Sequence, residues 1–123
     1  MSGNIIKDVS CSIVNMKLRD KRCDCATQNV QLLTAEGIKE LLKEVKGWKV
    51  ADNHHLMKEY KFRTYMDGVQ FVNQLAAIAE EQNHHPLIHL DYKKVTIEIY
   101  THVVDGLTDN DFILAAKYDA LKK

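Results

Sequence analysis

From Val95 to His102 the chain alternates. Val95, Ile97 and Ile99 fall on one side of an extended backbone, and Thr96, Glu98, Tyr100 and His102 on the other. Successive side chains of a strand point to opposite faces, so this segment has one apolar and one polar face. Such a strand belongs to a sheet buried on one side only. At 123 residues the chain suits one domain, and the apolar side must be covered by helices from the same chain.

The remaining pattern supplies them. Thr34 is placed to cap a helix carrying Ile38, Leu41, Leu42 and Val45 at i, i+3, i+4 and i+7, with Gly47 ending it. Trp48–Val50 and Leu56–Phe62 read as two strands joined by a hairpin loop over Ala51–His55. Thr64-x-x-Asp67 is a capping box for a long helix reaching about Asn83. Its stripe Val69, Val72, Ala76, Ala79 adjoins a second, Phe71, Leu75, Ile78. That face is wider than one sheet contact needs and predicts a second contact, against another subunit. Pro86, the only proline, stops this helix and turns His85 toward an extended conformation. Leu87–Asp91 and Lys94–His102 form a second hairpin around Tyr92-Lys93. A last helix starts near Thr108, with Thr108-x-x-Asp111 as its capping box, and carries Phe112, Ala115, Ala116, Tyr118 and Leu121. The expectation is an α+β fold of order α-β-β-α-β-β-α: a four-stranded antiparallel sheet with three helices packed on one face.

Residues 1–30 read as a separate N-terminal extension, flexible or a short added element, before a domain over 31–123. A transit peptide would be poor in acids, whereas this segment carries Asp8, Asp20 and Asp24. All three cysteines, Cys11, Cys23 and Cys25, lie in it. An odd count with none later gives no disulfide framework, so a reducing, cytoplasmic setting is expected. Cys23-x-Cys25 lacks a second ligand pair, and these thiols read as structural.

Charge excludes further classes. Lys plus Arg equals Asp plus Glu at 17 each, so there is no basic excess of the kind that drives nucleic-acid binding. No run reaches the roughly 18 apolar residues of a membrane span. No Gly-rich phosphate loop, nucleophile elbow or H-E-x-x-H zinc motif is present.

The chemistry-bearing residues concentrate late. Four of six histidines lie between 84 and 102. His84 and His85 are adjacent at a helix end, and His102 ends a strand on its polar face. Glu80 is four residues before His84, where the two side chains can meet and the carboxylate orient the imidazole. Histidine titrates near neutrality and suits general acid–base work. The plainer reading of His84-His85 is a helix cap. His54, His55 and His89 read as solvated surface, and Asp111 as a helix-start carboxylate. Three imidazoles at 84, 85 and 102 are an unpromising metal site, because adjacent side chains diverge along an extended chain.

Glu80-Glu81-Gln82-Asn83-His84-His85-Pro86, Tyr92-Lys93-Lys94-Val95, Thr101-His102, Gly106-Leu107 and Asp111 together resemble the signature of the pterin-4a-carbinolamine dehydratase family. Leu33-Thr34-Ala35-Glu36, Gly47-Trp48 and Tyr60-Lys61-Phe62-Arg63 resemble its upstream landmarks. The resemblance runs from Leu33 to the C-terminus. It implies dehydration of 4a-hydroxytetrahydropterins in tetrahydrobiopterin recycling, with no metal or organic cofactor. His84, His85 and His102 would be the active-site histidines. Glu80 and Asp111 would be supporting carboxylates, with Asn83, Pro86 and Thr101 beside them. It also implies self-association to a homodimer or homotetramer, and a second class of role: binding a helical protein partner as a transcriptional dimerisation cofactor, with nuclear as well as cytoplasmic residence. Many members carry Trp where this chain has Ile88, so one wall of the pterin pocket is expected to differ. A pterin binder without turnover is the third reading.

Overall fold

The computed structural model describes residues 18–20 and 31–121. The order of elements is α1 (Ala35–Leu42), β1 (Lys49–Ala51), β2 (His55–Lys61), α2 (Tyr65–Gln82), β3 (Leu87–Leu90), β4 (Lys94–Ile99) and α3 (Asp109–Leu121). All strand pairs are antiparallel, in the order β1-β2-β4-β3. This is the expected architecture, including its helix-covered face.

Local chemistry sets the boundaries. The Thr34 hydroxyl accepts from the Gly37 N–H at 3.0 Å, and the Thr64 hydroxyl from the Asp67 N–H at 3.1 Å, each satisfying an orphan donor of a helix start. α1 is shorter than its periodicity suggests. It ends at Leu42, and the N–H groups of Lys43, Glu44 and Val45 bond three residues back. Val45 is buried from that tightened turn rather than from the helix. Asp52 and Asn53 both take φ 54°, and the His54 N–H reaches the Ala51 carbonyl at 2.9 Å. This two-residue turn of left-handed residues matches the strand twist of a hairpin. β4 ends at Ile99, three residues before His102, because Thr101 pairs with Gly106 in a separate tight turn.

The core lies between sheet and helices. Val95, Ile97 and Ile99 of β4 and Leu56 and Tyr60 of β2 meet Phe71 and Leu75 of α2 and Phe112, Leu114 and Tyr118 of α3. Each such side chain stabilises by about 1.5–3 kcal/mol when fully buried. Gly68 lets α2 approach the β3–β4 hairpin: a Cβ there would stand 3.2 Å from Leu90 Cδ1. α3 is buried continuously from Asn110 to Ala115, since its outer side is covered by the turn at Leu18–Asp20. Leu18 joins the core, and Lys117 Nζ donates to the Arg19 carbonyl at 2.7 Å. At the other end of the sheet, Trp48 Nε1, Lys58 Nζ and Tyr60 Oη all donate to Asp119. Burial first, then this carboxylate, push the Tyr60 hydroxyl above its ordinary pKa.

Of the wide apolar face expected on α2, Phe71, Leu75 and Ala79 are buried in the domain, while Ala76 is exposed beside Met66 and Asn73. The opposite face of the sheet carries His55, His89, Thr96, Glu98 and Tyr100, none fully buried.

Candidate active site

α2 ends in a left-handed residue, Asn83, at φ 53°. The His84 N–H then bonds back to the Ala79 carbonyl at 3.0 Å, a Schellman-type closure in which Asn is the usual substitute for Gly. This reversal carries His84 inward. Its side chain is 3% exposed and its Nε2 lies 2.6 Å from Oδ1 of Asp111, which is fully buried.

The second Asp111 oxygen, Oδ2, accepts from the Thr101 hydroxyl at 2.9 Å and from the Thr108 N–H at 2.7 Å. Thr101 Oγ1 also lies 2.7 Å from Thr108 Oγ1, and that hydroxyl accepts from the Asn110 N–H at 3.2 Å. With Thr101 donating to the carboxylate, Thr108 must donate to Thr101. Every proton in the chain is therefore ordered toward Asp111, and the His84 Nε2 bears the proton it shares with that carboxylate. Such a network is worth keeping in a low-dielectric interior only when complete.

The network joins the two segments that hold the other histidines. His85 follows His84, and His102 follows Thr101. Because His84 and Thr101 point inward, their neighbours emerge on the outside, and both are exposed. Glu80 does not meet His84, as its i, i+4 spacing suggests. It lies 3.5 Å from His85 Nε2 instead, because the left-handed Asn83 rotates His84 off the helix face. His102 sits in the 102–105 turn with its ring 4.4 Å from that of Tyr100. Pro86 is half-buried and Asn83 exposed. Ile88 packs against the core.

Sequence patterning treats Thr108 only as a cap, although its spacing to Asp111 already implies the backbone contact. It also misses His54, whose ring lies 4.4 Å from Tyr100 and whose Nε2 is 2.8 Å from Asp105 Oδ1. Nothing local marks that contact, which spans 51 residues. Among the described residues no three His, Cys, Asp or Glu side chains converge as a metal site requires. An open groove of about 560 Å³ lined by Lys61, Arg63, Gln70 and Phe71, among others, lies at the opposite end of α2 from His84.

A one-sided sheet with a buried His84–Asp111 pair at its rim, and two exposed imidazoles beside it, defines a small α+β domain. The family model for pterin 4 alpha carbinolamine dehydratase matches residues 31–121, and the chain belongs to that family. It is 40% identical over 105 residues to a Rubrobacter xylanophilus protein assigned by name to the same family, covering 85% of this chain and 98% of that one. It is 37% identical to the mitochondrial pterin-4-alpha-carbinolamine dehydratase 2 of Arabidopsis thaliana, over 91% of this chain and 62% of the plant protein. A solved transcriptional coactivator/pterin dehydratase from Brucella melitensis superposes with a TM-score of 0.72 at 29% identity, covering 76% of this chain and 100% of the other. No helix among the described residues is long and apolar enough to cross a membrane.

Proposed function

We propose that the chain dehydrates 4a-hydroxytetrahydropterins to quinonoid dihydropterin and water, as a step in tetrahydrobiopterin recycling. The reaction needs one proton delivered to the departing 4a oxygen and one removed from the adjacent ring N–H. Two imidazoles in opposite protonation states supply both, typically contributing about 10²–10⁴-fold. The observation that carries this reading is the buried His84–Asp111 pair at 2.6 Å, which ties together the segments bearing His85 and His102. Exposure favours His102 and His85 as the pair that reaches substrate. Burial favours His84 as the group that fixes their setting, with Thr101 and Asp111. Glu80 steadies His85, and Asn83 and Pro86 shape the reversal between them. The scheme uses no metal or organic cofactor.

The test is the decay rate of freshly generated 4a-hydroxytetrahydrobiopterin with and without the purified protein, beside a His102→Ala control. Acceleration lost in the variant supports the reading. A folded protein that adds nothing to the spontaneous rate would overturn it in favour of a pterin binder without turnover.

The exposed α2 strip of Met66, Asn73 and Ala76 favours a second role for the same chain. It is suited to self-association as a homodimer or homotetramer, or to a helical protein partner; the Brucella protein is named a transcriptional coactivator as well as a dehydratase. Cytoplasmic residence, with nuclear entry for the partner-binding role, goes with it. Ala76→Glu, followed by light scattering, tests the strip: an unchanged mass would remove it from the assembly.

A further inference from the structure

The open face of the sheet holds a chain of titratable groups that the proposed mechanism does not use. His54 Nε2 lies 2.8 Å from Asp105 Oδ1, and His54 Nδ1 lies 3.2 Å from His55 Nδ1. His55 Nε2 is 3.6 Å from Glu98 Oε1, whose other oxygen is 3.0 Å from His89 Nε2. The groups come from the β1–β2 turn, β2, β3, β4 and the 102–105 turn.

The geometry sets the proton count. An ionised carboxylate only accepts, so the His54 Nε2 facing Asp105 carries a proton. The two Nδ1 atoms face each other within hydrogen-bond reach, which requires one proton between them: none leaves two lone pairs opposed, and two set N–H against N–H.

His54 reaches the turn that carries His102 through Asp105. Asp105 belongs to that turn, where its N–H bonds the His102 carbonyl at 3.2 Å, and it takes the left-handed φ of 52°. The Tyr100 ring lies between those of His54 and His102, with both centroids 4.4 Å away. Among the described residues, no hydrogen bond holds the His102 ring, which lies against Tyr100. The left-handed Asp52-Asn53 turn places His54 at this junction.

We propose that His54 is a positioning residue for His102: the hydrogen-bonded His54–His55 pair, set between Glu98 and Asp105, holds the 102–105 turn and, through Tyr100, the His102 ring. The inference rests on the reading of His102 as an acid–base group. The His54–Asp105 contact is partly solvated and by itself weak, so its consequence lies in geometry, where a displacement of an ångström costs catalysis heavily.

The experiment uses the full chain, ¹⁵N-labelled at histidine, with His54→Ala and His54→Gln. In the unaltered protein a ¹⁵N–¹⁵N scalar coupling is expected across the two Nδ1 atoms; its absence at any pH where the protein is folded overturns the shared proton. His54→Ala is expected to lower kcat about tenfold with KM within about twofold, a split that marks misplacement rather than lost binding. Glutamine can donate to Asp105 and accept from His55, so His54→Gln is expected to recover most of kcat. An unchanged kcat in folded His54→Ala, or a glutamine variant as slow as alanine, overturns the proposal. If the unaltered protein does not accelerate dehydration, the dehydratase reading fails separately. The His102 ring signals in His54→Ala then decide: displaced signals uphold the positioning, and unmoved signals overturn it.

Discussion

His84 Nε2 and Asp111 Oδ1 lie 2.6 Å apart, both buried, although 27 residues separate them in the chain. The carboxylate is the common acceptor for an imidazole, a hydroxyl and a backbone N–H. In the proposed mechanism this makes it the point at which stability and chemistry are coupled.

Asp111→Ala strands three buried donors at once. Each buried donor left unsatisfied costs about 1–3 kcal/mol, and urea unfolding should show a loss at or above that size. Asp111→Asn keeps the volume and one acceptor oxygen, so a smaller loss is expected, together with a disproportionate fall in dehydration rate. Equal losses in both variants would mean that the charge is irrelevant.

His102→Ala separates the two roles. The side chain is exposed, and surface substitutions usually fall within about 0.5 kcal/mol. Stability should therefore hold while kcat/KM drops by about 10²–10⁴-fold, the usual contribution of a general acid or base. His84→Ala should fail on both counts, because it leaves Asp111 buried without its main partner.

Thr108→Val tests the ordered hydroxyl chain. The backbone N–H still reaches Asp111, but Thr101 Oγ1 and the Asn110 N–H lose a partner. A loss of about 1–3 kcal/mol is expected for buried polar groups left unsatisfied. Thr108→Ser, which keeps the hydroxyl, should remain near the parent protein in the same denaturation series.

Alkaline stability should report Tyr60. Its pKa is raised in the fold by burial and by Asp119. Above its ordinary value of about 10, the unfolded chain loses the phenolic proton while the folded one keeps it. The unfolded state then binds fewer protons, so stability present below pH ~10 declines as pH rises beyond it. Tyr60→Phe removes that decline, and chemical denaturation at pH 8 and at pH 10.5 would compare the two slopes.

Much of this protein is legible from local sequence, for a physical reason. Alternation over residues 94–102 and the threonine caps at 34, 64 and 108 act between near neighbours, so they announce strand faces and helix starts without knowledge of the fold. His84, His85 and His102 are candidates on residue type and spacing, whereas Pro86, Thr101 and Asp111 enter as site residues only through the family resemblance. Tertiary structure decided their partners. A single left-handed residue, Asn83, withdrew His84 from Glu80 and gave it to Asp111. The packing of two hairpins and a turn put His54 against Tyr100 and Asp105, where pattern reading assigned it to solvent. Periodicity and capping are short-range effects carried by adjacent residues; which imidazole meets which carboxylate depends on how the sheet and helices close over one another, and only the folded chain holds that information.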